Sequence, residues 1–250
     1  MGTSSERPND AVLEHEHTPE AIGERLAAGI RQNYLRDFVY GGIDGSVTTF
    51  AIVAGTIGAS LSIEVVLILG IANLVADGFS MAASNFLGTR AERDDQQRLH
   101  DIEARHISVN PVGEREEVRQ IFAAKGFSGD ELEQAVQLIA SDRELWIQTM
   151  LTEEYGLPRE MRSEWRAASS TFAAFVVCGL VPLVPFIFSI SSAFPVSASL
   201  TGCVFFVIGS TKARWSSDPW WRSGLLTLAV GGAAAALAYL AGVILKMIGV

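Results

Sequence analysis

Cysteine is nearly missing from these 250 residues: Cys178 and Cys203 are the two, and both lie inside apolar stretches. A disulfide framework is excluded, and small apolar packing residues are the simplest reading of each. Basic residues are in deficit. The formal net charge of −9 removes the electrostatic footprint of general nucleic-acid binding. No Walker-type phosphate loop, dinucleotide fingerprint, zinc-protease helix or nucleophile elbow occurs, so ATP-driven work by this chain alone has no signature. The polar opening (MGTSSERPNDAVLEHEHTPE) holds no apolar core of a secretory signal.

Charge itself is absent from long stretches. Acidic and basic residues crowd into 1–36 and 90–166, while the rest is nearly free of them, in a chain that is 49% hydrophobic with mean hydropathy +0.28. About 20 apolar residues in a helix cross a hydrocarbon core of ~30 Å. Five such spans are predicted near 38–60, 63–88, 169–190, 196–213 and 223–248. The expected fold is therefore an all-α integral membrane protein, with a helical insert between spans two and three. The link at Ser60–Ser62 makes the first two spans a hairpin. Pro182 and Pro185 (GLVPLVPF) predict a kink in span three, since proline removes a backbone donor. Span five is rich in Gly and Ala, which lets helices approach closely in lipid.

The organisation reads as a tail and amphipathic helix (1–36), spans one and two (37–89), a polar insert (90–166) and spans three to five (167–250). Ile22, Leu26 and Ile30 make an apolar stripe from Thr18 to Arg36, with Glu24, Arg25 and Arg31 off it; such a helix lies on a membrane surface. Arg25, Arg31 and Arg36 precede span one, eleven basic residues fill 90–166, and Lys212, Arg214 and Arg222 separate spans four and five. The intervening links have none, and Lys246 is the one exception to the alternation. Lys and Arg collect on the cytoplasmic side, so the N-terminus and the insert are expected there. Within the insert, span two is expected to continue as a helix to about His106. Three further helices are predicted near 111–125, 129–140 and 142–155. Asn110-Pro111 starts the first, capping boxes at Ser128/Glu131 and Ser141/Glu144 start the others, and Gly126 and Gly156-Leu-Pro158 are stops.

Two groups of residues could carry chemistry. In the spans, Asp44 lies among Gly41, Gly42 and Gly45, and Asp77 sits with Asn73, Met81 and Asn85. A carboxylate at the bilayer centre costs ~2.5–3.5 kcal/mol on translocon scales, so it faces a cavity or a partner. Asn73, Asp77 and Met81 recur at four-residue spacing on one helix face. Oxygen ligands with a thioether suit Fe²⁺ and other first-row metals better than Mg²⁺ or Ca²⁺. The alternative is a hydrated interfacial Asp44 and a packing Met81. In the insert, Glu103 with His106, Glu114 with Glu117, and Met150 with Glu154 each share a helix face. Together they could enclose a metal, or they could be ordinary solvated charges. The lone Glu-x-x-His does not support a di-iron oxidase, which uses two copies. His15 and His17 fall in the polar tail and suggest adventitious binding at most.

At these residues the chain resembles the vacuolar iron transporter family, including its yeast members. DFVYGGIDGSVTTFAIVAG resembles the family's first span and GIANLVADGFSMAASNFLGT its second, and the likeness extends over about 35–250. The resemblance implies a homodimer with the ion path at its two-fold axis. It implies export of Fe²⁺, and in some members Mn²⁺ or other divalent metals such as Zn²⁺ or Co²⁺, from the cytoplasm in exchange for protons, with no permanently bound cofactor. Asp44 and Met81 match positions lining the family's path. Glu103, Glu114, Glu117, Met150 and Glu154 match its cytoplasmic metal-binding domain. His106 stands where another Glu is expected, and Leu151 where a second Met often sits. A bacterial cytoplasmic membrane is the expected location. The rival reading is a membrane-anchored iron sensor or storage protein that moves nothing.

Overall fold

The computed structural model describes residues 16–27, 32–215 and 219–249. His15, Ile30 and Arg31, on which parts of the tail reading rest, lie outside them. The described residues divide into two units, one up to Asn33 and one from Tyr34 on. In the first, α1 runs Pro19–Ala27, with the Thr18 hydroxyl accepting from the Ala21 N–H. The amphipathic helix does not continue to Arg36 as expected. Gln32–Tyr34 are not helical, and Arg36 belongs to the first turn of the next helix. The reason lies in Tyr34. Its hydroxyl accepts from the Ser163 N–H at 2.9 Å and its carbonyl from the Ser170 hydroxyl at 3.1 Å, which fixes it as the start of a new helix.

The second unit is all α. The five membrane-spanning segments are α2 (Leu35–Gly58), α3 (Ile63–Val109), a broken segment over Glu164–Ile187, α9 (Ala193–Lys212) and α10 (Trp220–Met247). The broken segment is α7 (Glu164–Leu180), a 3₁₀ turn at Val181–Leu183 and the short α8 (Val184–Ile187). Pro182 and Pro185 sit in that break, where the missing N–H groups forbid a continuous ladder. Four of the five spans start three to five residues before the predicted apolar runs, and α3 starts at Ile63 as expected. The Ser163 hydroxyl accepts from the Arg166 N–H, so α7 begins at Glu164 rather than near 169.

Helix α3 is 47 residues long and passes without interruption from the spans into the insert. The insert is completed by α4 (Pro111–Ala124), α5 (Gly129–Ser141) and α6 (Arg143–Glu153). Asn110 caps α4 through its side chain, as its place before proline predicts. Neither expected capping box forms. Ser128 makes no side-chain cap, and Ser141 donates to the Leu138 carbonyl. Asp142 caps α6 instead, accepting from Glu144 and Leu145 N–H: a carboxylate two and three residues before the donors outcompetes the neighbouring hydroxyl. The insert core is Ile107, Val118, Val136, Ile139, Trp146, Ile147, Met150 and Leu151.

Helix α2 is central and packs against α3, α7, α9 and α10, most closely against α7. A Cβ added at Gly41 would lie 2.3 Å from the Thr171 carbonyl oxygen, and one at Gly45 2.3 Å from that of Phe175. Only hydrogen at those positions lets the two backbones meet. Gly45→Ala is expected to cost roughly 1–3 kcal/mol, lowering the melting temperature of the detergent-solubilised protein by about 2–4 °C per kcal/mol. Gly88→Ala, which meets nothing within 4 Å, leaves it unchanged or raises it. Thermal melts followed by the loss of the monodisperse species on size-exclusion chromatography read the difference.

Candidate functional site

The insert brings three potential ligands together. Glu103 and His106 lie one turn apart on α3. The chain ends α3 at Asn110, whose backbone leaves helical geometry (φ −135°), and folds straight into α4. That turn lays Glu114 against the Glu103/His106 face. His106 Nδ1 is 3.7 Å from Glu103 Oε1 and 3.6 Å from Glu114 Oε1, and one ligand atom from each residue lies within 4.8 Å of the others. Ligands of one ion at ~2.0–2.2 Å stand up to about 4.4 Å apart, so a small side-chain movement closes the set.

The carboxylates are deeply placed. Glu103 is 1% exposed and Glu114 5%, while His106 is open to solvent. The Tyr155 hydroxyl donates to Glu103 Oε1 at 3.0 Å. The second oxygens, Glu103 Oε2 and Glu114 Oε2, are buried with no hydrogen-bond partner among the described residues. An unpartnered buried carboxylate oxygen is costly, and a cation is the partner its chemistry calls for. Burial, followed by the charges of Glu117, Glu103 and Glu154, pushes the Glu114 carboxyl up to about 7. Glu154 is raised by burial and then by Glu103 and Glu117. Burial and the hydrogen bond to Glu103 raise the Tyr155 hydroxyl. Glu117 and Glu154 therefore act on the cluster through their fields from more exposed positions. Met150 is fully buried in the apolar core with Trp146 and Ile147, and Leu151 packs in the same core.

The residues expected in the spans divide differently. Asp44, Met81 and Asn85 line one cavity of about 750 Å³ with Arg36, Asp37, Glu92 and Arg162. Asp77 lies outside that lining, at an exposed position within electrostatic reach of Asp44. Asn73 also lies outside it. Its amide donates to Thr48 and Thr49 hydroxyls at 3.2 and 3.3 Å, tying α3 to α2. Asn85 likewise joins helices, donating to Asp37 Oδ1 at 2.9 Å and to the Thr171 hydroxyl at 2.7 Å. Sequence reasoning missed Asp37 and its ion pair with Arg162. It also missed Tyr155 and the Arg93–Glu164 pair at 3.1 Å. Asp37 could have been found as the acid at the head of DFVYGG; Arg162, in a loop, offers no pattern.

The raised Glu114 sets a pH dependence. The folded, metal-free protein keeps a proton that the unfolded chain gives up at 4.5, so stability is lost as pH rises from 4.5 to about 7. Glu114→Gln is expected to flatten that loss, raise the melting temperature of the metal-free protein near neutral pH and abolish stabilisation by added Mn²⁺. Melts across pH 5–8 with and without the metal check all three.

Comparison with known proteins follows the same lines. A profile of the VIT family matches residues 35–243. The chain is 32% identical over 241 residues to vacuolar iron transporter 1 of Arabidopsis thaliana, covering 94% of this chain and 92% of that one. It is 32% identical over 229 residues to the vacuolar iron transporter of Toxoplasma gondii, covering 86% and 76%. Vacuolar iron transporter 1 of Eucalyptus grandis is 32% identical over 210 residues, covering 82% and 84%. With the helical insert, the five spans and a match running through both, this multi-pass membrane protein belongs to the VIT family.

Proposed function

We propose that this chain transports divalent metal, with Fe²⁺ as the principal cargo and Mn²⁺ accepted, out of the cytoplasm in exchange for protons. The observation that carries this reading is that one helix, α3, contributes residues to both constellations. Glu103 and His106 stand at the insert end of α3, and Met81 faces the Asp44 cavity at its membrane end. Relatives of similar length that bear the name vacuolar iron transporter support the cargo.

In this mechanism the insert faces the cytoplasm and gathers the ion. Two carboxylates and an imidazole form its seat, with Glu117 and Glu154 adding negative potential; Met150 supports the seat from the core. The ion then reaches the membrane cavity, where the Asp44 carboxylate and the Met81 thioether form a mixed hard and soft site selective against Mg²⁺ and Ca²⁺. A carboxylate cannot hold a proton and a metal ion on the same lone pair. Protons arriving from the far side therefore displace the metal from Asp44, and export needs no ATP. The exposed Asp77 and the largely exposed apolar face of α3, with Ile68, Val75 and Phe79, support a homodimer in which a second copy covers them. A carboxylate facing lipid would otherwise cost ~2.5–3.5 kcal/mol. The proposed location is a bacterial cytoplasmic membrane, with no enzymatic activity.

The test is Fe²⁺ flux in proteoliposomes under an imposed pH gradient. Wild type is expected to carry flux that needs the gradient, and correctly folded Asp44→Ala to carry none. Gradient-independent flux would remove the proton coupling. Absence of Fe²⁺ and Mn²⁺ flux in folded wild type would leave a membrane-anchored iron sensor or store.

A further inference from the structure

The segment that returns the chain from α6 to α7, residues 154–163, touches both constellations. At its start Tyr155 donates to Glu103 in the insert cluster. Gly156 turns the chain with φ +67°, and the Leu157 N–H closes on the Leu151 carbonyl at 3.0 Å. The Gln96 side chain on α3 donates to the Pro158 carbonyl at 3.1 Å. At its end Arg162 pairs with Asp37, its guanidinium 5.5 Å above the Tyr34 ring, and the Ser163 N–H donates to the Tyr34 hydroxyl. The segment has no helix of its own between Glu153 and Glu164.

Arg162 stands in the lining of the Asp44 cavity. Its side chain is 32% exposed and that of Asp37 only 6%. A guanidinium fixed on the cavity's buried carboxylate opposes a divalent cation there, because like charges repel; Arg36, the other guanidinium of the lining, is exposed and donates to the Tyr40 hydroxyl instead. Buried carboxylates demand a cation, so Asp37 cannot simply be left bare. Both demands are met if the guanidinium is an exchangeable occupant. It sits on a loop rather than a helix, and Asn85 holds the Asp37 carboxylate in place independently of it.

We infer that Arg162 is a tethered counter-cation that occupies a metal seat on Asp37 at the mouth of the cavity and is displaced, with residues 157–163, when a divalent ion takes that seat on its way to Asp44. The other end of the tether is the hydrogen bond between Tyr155 and Glu103. Metal arriving at the insert cluster competes for the Glu103 oxygen that holds Tyr155, so loading the insert loosens the segment that carries the plug. Arg162 is a positioning residue here, acting on the ion through Asp37.

The inference rests on the transport reading, and its test separates the two. Hydrogen–deuterium exchange of detergent-solubilised wild type, with Mn²⁺ as the probe, should show faster exchange over 157–163 when metal is added. Asp37→Asn should show fast exchange there without metal. A static brace predicts unchanged or slower exchange with metal, and that result overturns the inference. In proteoliposomes Arg162→Gln is expected to lower the KM for Mn²⁺ about threefold or more by removing a tethered competitor. Arg162→Lys should restore most of the wild-type value. In an Asp37→Asn background Arg162→Gln should have no further effect. A raised KM in Arg162→Gln, or an equal effect of that change with and without Asp37, also overturns it. If wild-type vesicles carry no metal, the transport reading fails while the exchange experiment still decides the displacement. The same holds if Arg162→Gln does not fold.

Discussion

The approach of α2 to α7 is the contact on which the rest is built. Gly41 and Gly45 bring backbone carbonyls of α7 to where a Cβ would stand. Asp44 lies between them in sequence, so the helix that carries this carboxylate is pinned on the turns either side of it. The same approach aligns Asp37 with Asn85 and Thr171, which join α2, α3 and α7 through one amide. In lipid there is no hydrophobic force between helices to make up for a looser fit, so close packing and interhelical hydrogen bonds carry the association. Asn73 with Thr48 and Thr49 repeats the device further along.

The two acidic constellations meet the cost of their charge in different ways. In the insert, Glu103 and Glu114 are buried beside one another with an unpartnered oxygen each, and Glu114 retains a proton to near neutral pH. That arrangement is poor for the metal-free fold and good for a cation, the usual exchange of stability for function. In the spans, Asp37 is neutralised by Arg162 and Asn85, and Asp44 borders an open cavity. One site is short of a cation and the other already holds one from the protein itself.

Much of this was legible in the sequence, because membrane spans and short polar helices obey strong local rules. Twenty apolar residues permit one structure in lipid, so the five spans were readable to within a few residues. Asn110-Pro111 and the two glycine stops, Gly126 (φ +101°) and Gly156, placed the insert helices. Spacing put Glu103 with His106 on one helix face and Glu114 with Glu117 on another; that Glu114 meets the first pair depends on the turn at Asn110, which spacing does not encode. Competition was harder to read: Asp142 against Ser141 for one cap, and Tyr34 held by α7 residues more than a hundred positions away. Periodicity grouped Asn73, Asp77 and Met81 on one face but could not say that Asn73 faces hydroxyls while Met81 faces a cavity. Tyr155, Asp37 and Arg162 gain their roles from pairings across the fold, which no spacing along the chain encodes.

The unbroken α3 also fixes a distance. From Met81 to Glu103 the helix advances about 33 Å along its axis at ~1.5 Å per residue. No single coordination sphere bridges that gap, so an ion leaving the insert must become hydrated before the spans can hold it. Once hydrated it is tethered to nothing and diffuses freely, so in the proposed mechanism the cavity recaptures a free ion rather than receiving one by direct handover. The membrane seat then faces two opposed demands: it must bind tightly enough to compete for a hydrated ion and loosely enough to let that ion go.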